Sequence, residues 1–221
     1  ADDPHVLAIK ITLYRISKNS RISNALFRAA EQGKHVSVLF EVKARFDEEN
    51  NIKEATRLQK AGCFVIYGIP GLKTHTKLLQ VIRNEGSHVM SYAHLSSGNY
   101  NEDTAKLYTD LGLLTTDTRI TQDIAEFFNV ITGHSMPTHY EHLITAPRDM
   151  RNRLIDMIQT EMDNHKAGKA AGICWKINSL QDTLTMEALY RASQAGVPVL
   201  LIIRGICCLR PQRKGLSENI Y

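Results

Sequence analysis

No apolar stretch in this 221-residue sequence approaches the roughly eighteen residues of a membrane-crossing helix, so no transmembrane segment is expected. No secretory leader is visible: the N-terminus, ADDPHVLAIK, is acidic and then turns apolar. An initiator Met is missing, and the sequence reads as an excised piece of a longer chain. CxxC pairs are lacking too. Cys63, Cys174, Cys207 and Cys208 include one adjacent pair, a spacing that rarely forms a disulfide, so reduced thiols of a cytosolic protein are expected. Neither sign of charge dominates. The formal charge of +4, with nine His uncounted, suits an anionic ligand without requiring one. What remains, 43% hydrophobic and 23% charged, is the composition of a soluble globular protein with room for one large or two ordinary domains.

The apolar runs give the chain its order. Val6–Leu13, His35–Val42, Cys63–Tyr67, Leu78–Ile82 and Val89–Ala93 read as strands. Ser20 or Ser23 can cap a helix running to about Gln32, with Gly33 as its stop, and a second helix covers about Asn50–Lys60. Strand, helix, strand, helix, strand predicts an α/β fold with a largely parallel sheet. A further strand is expected around Asp110–Thr115 and helices over Ile120–Ile131 and Pro147–His165. His134, His139 and His142 lie in the intervening connection, and no spacing among them matches a zinc site.

The chain then starts again. Leu189–Arg204 reads like Leu26–Glu41, helix, Gly, then strand, and Gly172–Lys176 corresponds to the first strand. Two similar α/β units are expected, over residues 1–145 and 146–221, with the second incomplete.

The stretch Gly71–Lys77, GLKTHTK, carries the clearest chemistry. It reads as a loop leading into a strand whose first residues are His75 and Lys77, so alternation puts these two side chains on one face, and Lys73 can join them if the strand starts early. A neighbouring ammonium disfavours a second positive charge on His75. A neutral imidazole is what a nitrogen nucleophile needs, and the lysines can hold the oxygens of an incoming phosphate. The plainer reading is a surface His and Lys at a strand end. Ligands of open α/β sheets bind beyond the carboxyl ends of strands. Arg15, Arg45, His94 and Asn99 follow strands one, two and five, so His75 and Lys77 can join them only if strand four is antiparallel to strands one to three.

A His-x-Lys followed by a Gly-Asn loop in a duplicated α/β chain resembles the phospholipase D-like fold, a mixed sheet flanked by helices. One piece departs. The Asp that this superfamily carries shortly after the Lys is replaced here by Val81-Ile82, which argues against a standard phosphodiesterase.

Longer strings are more specific. IKITLYR (Ile9–Arg15), KARFDEENNI (Lys43–Ile52), GLKTHTKL (Gly71–Leu78), YAHLSSGNYN (Tyr92–Asn101), TAKLYTDLGLLT (Thr104–Thr115) and GLSENI (Gly215–Ile220) resemble the type 1 polyphosphate kinase family, over nearly the whole chain. The resemblance implies the first C-terminal catalytic domain and the opening of the second. It implies reversible transfer of the terminal phosphate of ATP to inorganic polyphosphate through a phosphohistidine. On that reading His75 is the nucleophile, with Lys77, His94 and Asn99 in the catalytic set. Tyr108 and Arg204 bind ATP, and Arg15 and Arg45 belong to a magnesium–phosphate cluster. Arg is cationic, so its contact to Mg²⁺ must run through phosphate. A second essential His would lie beyond residue 221. The implied partners are ATP/ADP and polyphosphate, with a homo-oligomeric full-length protein, no specific nucleic acid, and a location in the cytoplasm or peripherally at the inner face of the membrane. Ser96-Ser97 and the basic Arg210–Lys214 depart from the usual pattern.

The residues taken singly also allow plainer roles: Arg45 paired with Asp47–Glu49, and Tyr108 as a core aromatic. Two rival functions stay open, a phospholipase D-like phosphodiesterase or nuclease, and a basic module that holds a polyanion without turnover.

Overall fold

A computed structural model describes residues 1–221 except 15, 18–19, 42–47, 70 and 134–138. It divides into two compact units, Ala1–Leu143 and Ile144–Tyr221.

The first unit is built on a six-stranded mixed sheet: β1 (Val6–Leu13), β2 (His35–Phe40), β3 (Phe64–Tyr67), β4 (Leu78–Asn84), β5 (Val89–Ser96) and β6 (Gly112–Thr115), in the order β3-β2-β1-β4-β5-β6. β1, β2 and β3 run parallel, as expected of strands linked by helical crossovers. β4 is antiparallel to β1, β5 to β4 and β6 to β5. The predicted reversal of strand four is therefore present. The carboxyl ends of β1, β2, β3 and β5 share one edge of the sheet with the amino ends of β4 and β6.

Helices α1 (Arg21–Glu31) and α2 (Glu48–Lys60) pack on one face, with Ile9, Ile11, Leu13, Val36, Val38 and Phe40 as the core beneath them. Leu79 and Val81 of β4 join that core, whereas Leu78 faces α3 (Thr118–Ile131) with Ala93, Ile124 and Phe128. Strand alternation thus puts helices on both faces of the sheet. Of the two candidate caps for α1, Ser20 is the one used: its hydroxyl accepts from the N–H groups of Ile22 and Ser23.

The second unit contains α4 (Met150–Lys166), β7 (Ile173–Ile177), α5 (Thr183–Gln194) and β8 (Val199–Ile203), with β7 and β8 parallel. Helix α4 begins three residues later than Pro147, because the N–H groups of Asp149 and Met150 both turn back to the Thr145 carbonyl. The internal repeat is visible in how α1 and α5 stop. Gly33 (φ 78°) donates to Ala30 O and Lys34 to Ala29 O; Gly196 (φ 92°) donates to Ser193 O and Val197 to Ala192 O. The left-handed backbone at both positions is the one glycine adopts without a Cβ penalty.

Candidate functional site

The segment carrying His75 is not the first part of a strand. Residues 73–77 have no regular structure, and β4 begins at Leu78. The reason is that distant side chains take the backbone groups a neighbouring strand would otherwise pair. Thr12, buried in β1, donates its hydroxyl to Thr76 O (2.8 Å) and accepts from Leu78 N (3.0 Å). Glu41, buried just past β2, accepts from Thr74 N at 2.6 Å. Ser96 N donates to Lys77 O at 3.0 Å. Three strand ends thus hold one irregular loop, and every buried amide so paired avoids the cost of an orphaned donor.

This loop brings His75 and Lys77 together even without strand alternation. Lys77 Nζ lies 3.0 Å from His75 Nδ1 and also donates to the His75 carbonyl oxygen. The Tyr14 ring meets the His75 imidazole edge-on, with centroids 4.9 Å apart. Lys73 Nζ and Lys77 Nζ stand 5.2 and 5.4 Å from the Tyr14 ring centroid, close enough for cation–π attraction. His75 is exposed, while Lys77 keeps only 6% of its surface. Burial pushes the Lys77 ammonium down to about 8, and the Asp110 carboxylate pulls it partly back. At neutral pH Lys77 is still mostly charged. An ammonium donating to Nδ1 needs a lone pair there, which is the geometry of a neutral imidazole.

Beside this corner lies a cleft of about 430 Å³ lined by His94, Ser96, Gly98, Asn99, Tyr108 and Asp110, among others. His94 sits within β5 rather than after it, because β5 continues to Ser96 with β4 on one side and β6 on the other. Its Nδ1 is 2.9 Å from the Tyr100 hydroxyl. The Oδ1 of Asn99 is buried and has no hydrogen-bond partner among the described residues. Asp110 accepts from Ser97 Oγ at 2.8 Å, and a Cβ on Gly98 would stand 2.5 Å from Asp110 Oδ2. The Gly-Asn loop is fixed from its other side by Glu102, which accepts from Ser17 Oγ, Ser20 Oγ and Arg21 N. The edge therefore offers two lysine ammonium groups, an imidazole in contact with one of them, and an adjoining polar cleft with an unsatisfied oxygen.

Residues 1–137 match the family model described as polyphosphate kinase C-terminal domain 1, and residues 143–221 match polyphosphate kinase C-terminal domain 2. The chain belongs to the polyphosphate kinase family. Curated relatives include the polyphosphate kinases of Synechocystis (54% identical over 220 residues) and Staphylococcus haemolyticus (52% over 220 residues), each aligned to 100% of this chain and 30% of the relative. The crystal structure of polyphosphate kinase from Porphyromonas gingivalis superposes with a TM-score of 0.86 at 41% identity, over 100% of this chain and 36% of that one. The chain thus spans about a third of the length of the polyphosphate kinases it matches.

The structure brings His75 and Lys77 into contact, and gathers His94, Asn99 and Tyr108 around the neighbouring cleft. Tyr108 is 48% exposed in the turn before β6, so it is not a core aromatic. Arg204 belongs to the second unit, exposed at the end of β8, where its Nε and Nη2 donate to Asn178 Oδ1 (3.0 and 2.9 Å). Arg15, Lys43, Arg45 and His134 lie outside the described residues. Asp123 gathers the backbone N–H groups of Glu141, His142 and Leu143, and among the described residues no His, Cys, Asp or Glu cluster could hold a metal by itself. Four residues of the site escaped the reading of the sequence: Thr12, Glu41, Tyr100 and Asp110. Glu41 leaves a signal, a carboxylate closing an otherwise apolar strand. Tyr100 leaves one as the aromatic directly after Gly98-Asn99.

Proposed function

We propose that this chain carries the histidine-bearing part of an enzyme that moves the terminal phosphate of ATP reversibly onto inorganic polyphosphate, through a phosphohistidine at His75. The observation that supports it most is the contact of Lys77 with an exposed His75, held by side chains from β1 and β2 at the edge where strand ends converge. A neutral imidazole that accepts from Lys77 at Nδ1 carries its proton on Nε2, so its one lone pair is at Nδ1, and it is freed for attack on phosphorus as the Lys77 ammonium turns from Nδ1 to the incoming phosphate oxygens. The N–P bond forms as the bond from the γ-phosphorus to the bridging oxygen breaks, and that electron pair leaves with ADP. A terminal oxygen of polyphosphate then takes the phosphoryl group and frees His75. Such transfer depends mainly on position and on neutralising charge over three oxygens. Lys73 and Lys77 serve this at His75. Arg15, Arg45 and Arg204 carry over from the family resemblance as further phosphate contacts, and Tyr108 as the surface for adenine. His94 and Asn99 face the transferring group from the cleft.

Mg²⁺ fits the donors present. It takes one or two protein oxygens and completes its shell with phosphate and water, so a full protein cage is not required. Asn99, whose buried Oδ1 has no partner among the described residues, and Asp110, with its carboxylate, both line the cleft and are the residues that would hold it. When bound it offsets phosphate charge.

The phospholipase D-like reading of the fold goes with the mixed sheet and its converging ends. A diesterase is disfavoured by Val81 and Ile82, which sit in β4 paired to β1 and β5 where the superfamily Asp would be. A cytoplasmic or peripheral inner-membrane location and a homo-oligomer belong to the same proposal. Incubation with ATP, Mg²⁺ and a polyphosphate primer tests it, using this chain and a polypeptide of the relatives' length that contains it. The longer polypeptide extends the primer, His75→Ala abolishes extension, and the 221-residue chain alone is inactive. Diester hydrolysis without nucleotide would instead favour the phosphodiesterase.

A further inference from the structure

We infer that Tyr100 is a positioning residue that fixes His94, which lines the cleft, in the tautomer with its proton on Nε2, making that nitrogen a hydrogen-bond donor for phosphate oxygen. The benefit to phosphate binding rests on the function proposed above; the tautomer itself does not.

Tyr100 sits just past the Gly-Asn loop, and its ring packs against the main core of the first unit. That packing leaves the phenol little freedom. Its hydroxyl lies 2.9 Å from His94 Nδ1 and 3.4 Å from the His94 carbonyl oxygen; the single O–H proton serves one of them, and the shorter contact, to Nδ1, takes it. The rings stand 5.6 Å apart and tilted by 56°, a placement that aims the hydroxyl at the ring edge rather than its face. A phenol keeps its proton at neutral pH, so the hydroxyl has one O–H to donate. A phenol that donates to Nδ1 leaves the single proton of a neutral imidazole on Nε2.

The second observation is on the opposite side of the ring. A Cβ built on Gly112, the first residue of β6, would come within 2.7 Å of His94 Nε2. Gly112 has no positive φ among the glycines that do, so backbone conformation does not call for glycine there. Space for the imidazole does. Tyr100 on one edge and the bare Gly112 backbone on the other hold the imidazole of His94, a residue that lines the cleft. An anion site needs donors, and an Nε2 lone pair pointing at phosphate oxygen would repel it.

The test is spectroscopic and needs no substrate. Long-range ¹H–¹⁵N correlation of the His94 imidazole in this chain at neutral pH reports which nitrogen carries the proton. The inference expects Nε2–H in the unaltered protein and a mixture of both tautomers in Tyr100→Phe, which removes only the hydroxyl. Gly112→Ala, at an exposed edge, provides an independent variant: its methyl displaces the ring from Tyr100 and mixes the tautomers as well. A proton on Nδ1 in the unaltered protein overturns the inference, and so does a tautomer that neither variant changes. In a polypeptide of the relatives' length, Tyr100→Phe should slow primer extension roughly fivefold, the effect of one ordinary hydrogen bond. If the tautomer responds while extension does not, the positioning of His94 stands and the role proposed for His94 in transfer fails.

Discussion

Lys77 and His75 are two residues apart in sequence, yet they contact each other across an irregular turn: Nζ is 3.0 Å from Nδ1, with the lysine buried and the histidine exposed. The ammonium is placed below the imidazole, where it approaches from the protein side while the ring faces solvent. This is the order expected if a ligand arrives at His75 from outside and a fixed positive charge waits beneath.

That buried charge makes stability depend on pH. The folded pKa of Lys77, about 8, lies below the unfolded value, so between the two the unfolded chain binds more protons and stability rises with pH. The full cost of burying the charge is present below about pH 8. Lys77→Met removes it, and its advantage at pH 7, on the order of 3 kcal/mol, should shrink as pH rises above about 8 and vanish only above the ordinary lysine value of about 10.5. Urea unfolding of both proteins across that range measures the difference. Taking the difference also cancels the opposite trend of buried Cys63, whose thiol burial pushes up to about 11.

Thr12→Val tests what fixes the loop. The change is nearly isosteric but leaves Thr76 O without its hydroxyl donor and Leu78 N without its acceptor. Two unsatisfied buried groups should lower stability by about 1–3 kcal/mol. Amide exchange should accelerate at Leu78 more than in the middle of β1. Unchanged exchange at Leu78 would mean that Thr12 does not hold the loop.

How much of this was legible in the sequence follows from the same residues. The apolar runs placed every strand of the first unit: β1 and β2 through the composition that central burial demands, and the edge strands β3 and β6 through apolar residues that stay largely exposed. The reversal of β4 was legible only through the site, since His75 could join the other strand ends in no other way. The loop before β4 was not legible, because the partners of Thr74 and Thr76 are Glu41 and Thr12, remote in sequence and silent in any local pattern. For the same reason β5 runs past Ala93 to Ser96: cross-strand pairing to Leu78 and Gly112 extends it, and no turn residue intervenes.

Gly98→Ala tests the cleft. The added methyl would stand 2.5 Å from Asp110 Oδ2 and force that carboxylate away from Ser97. Overpacking of this kind typically costs roughly 1–3 kcal/mol. Since Asp110 also acts on Lys77, the Lys77 pKa should fall in the variant, read by the pH dependence described above. A variant with unaltered stability and unaltered pH dependence would show that Asp110 is not coupled to Lys77 through this contact.

The most direct test of the central claim is to locate the phosphate. A polypeptide of the relatives' length containing this chain is incubated with γ-labelled ATP and Mg²⁺, and the protein-bound label is tested for acid lability and alkali stability. The account predicts acid-labile, alkali-stable label that maps to His75 and vanishes in His75→Ala. Label that persists in His75→Ala, or no label while primer extension proceeds, would contradict it.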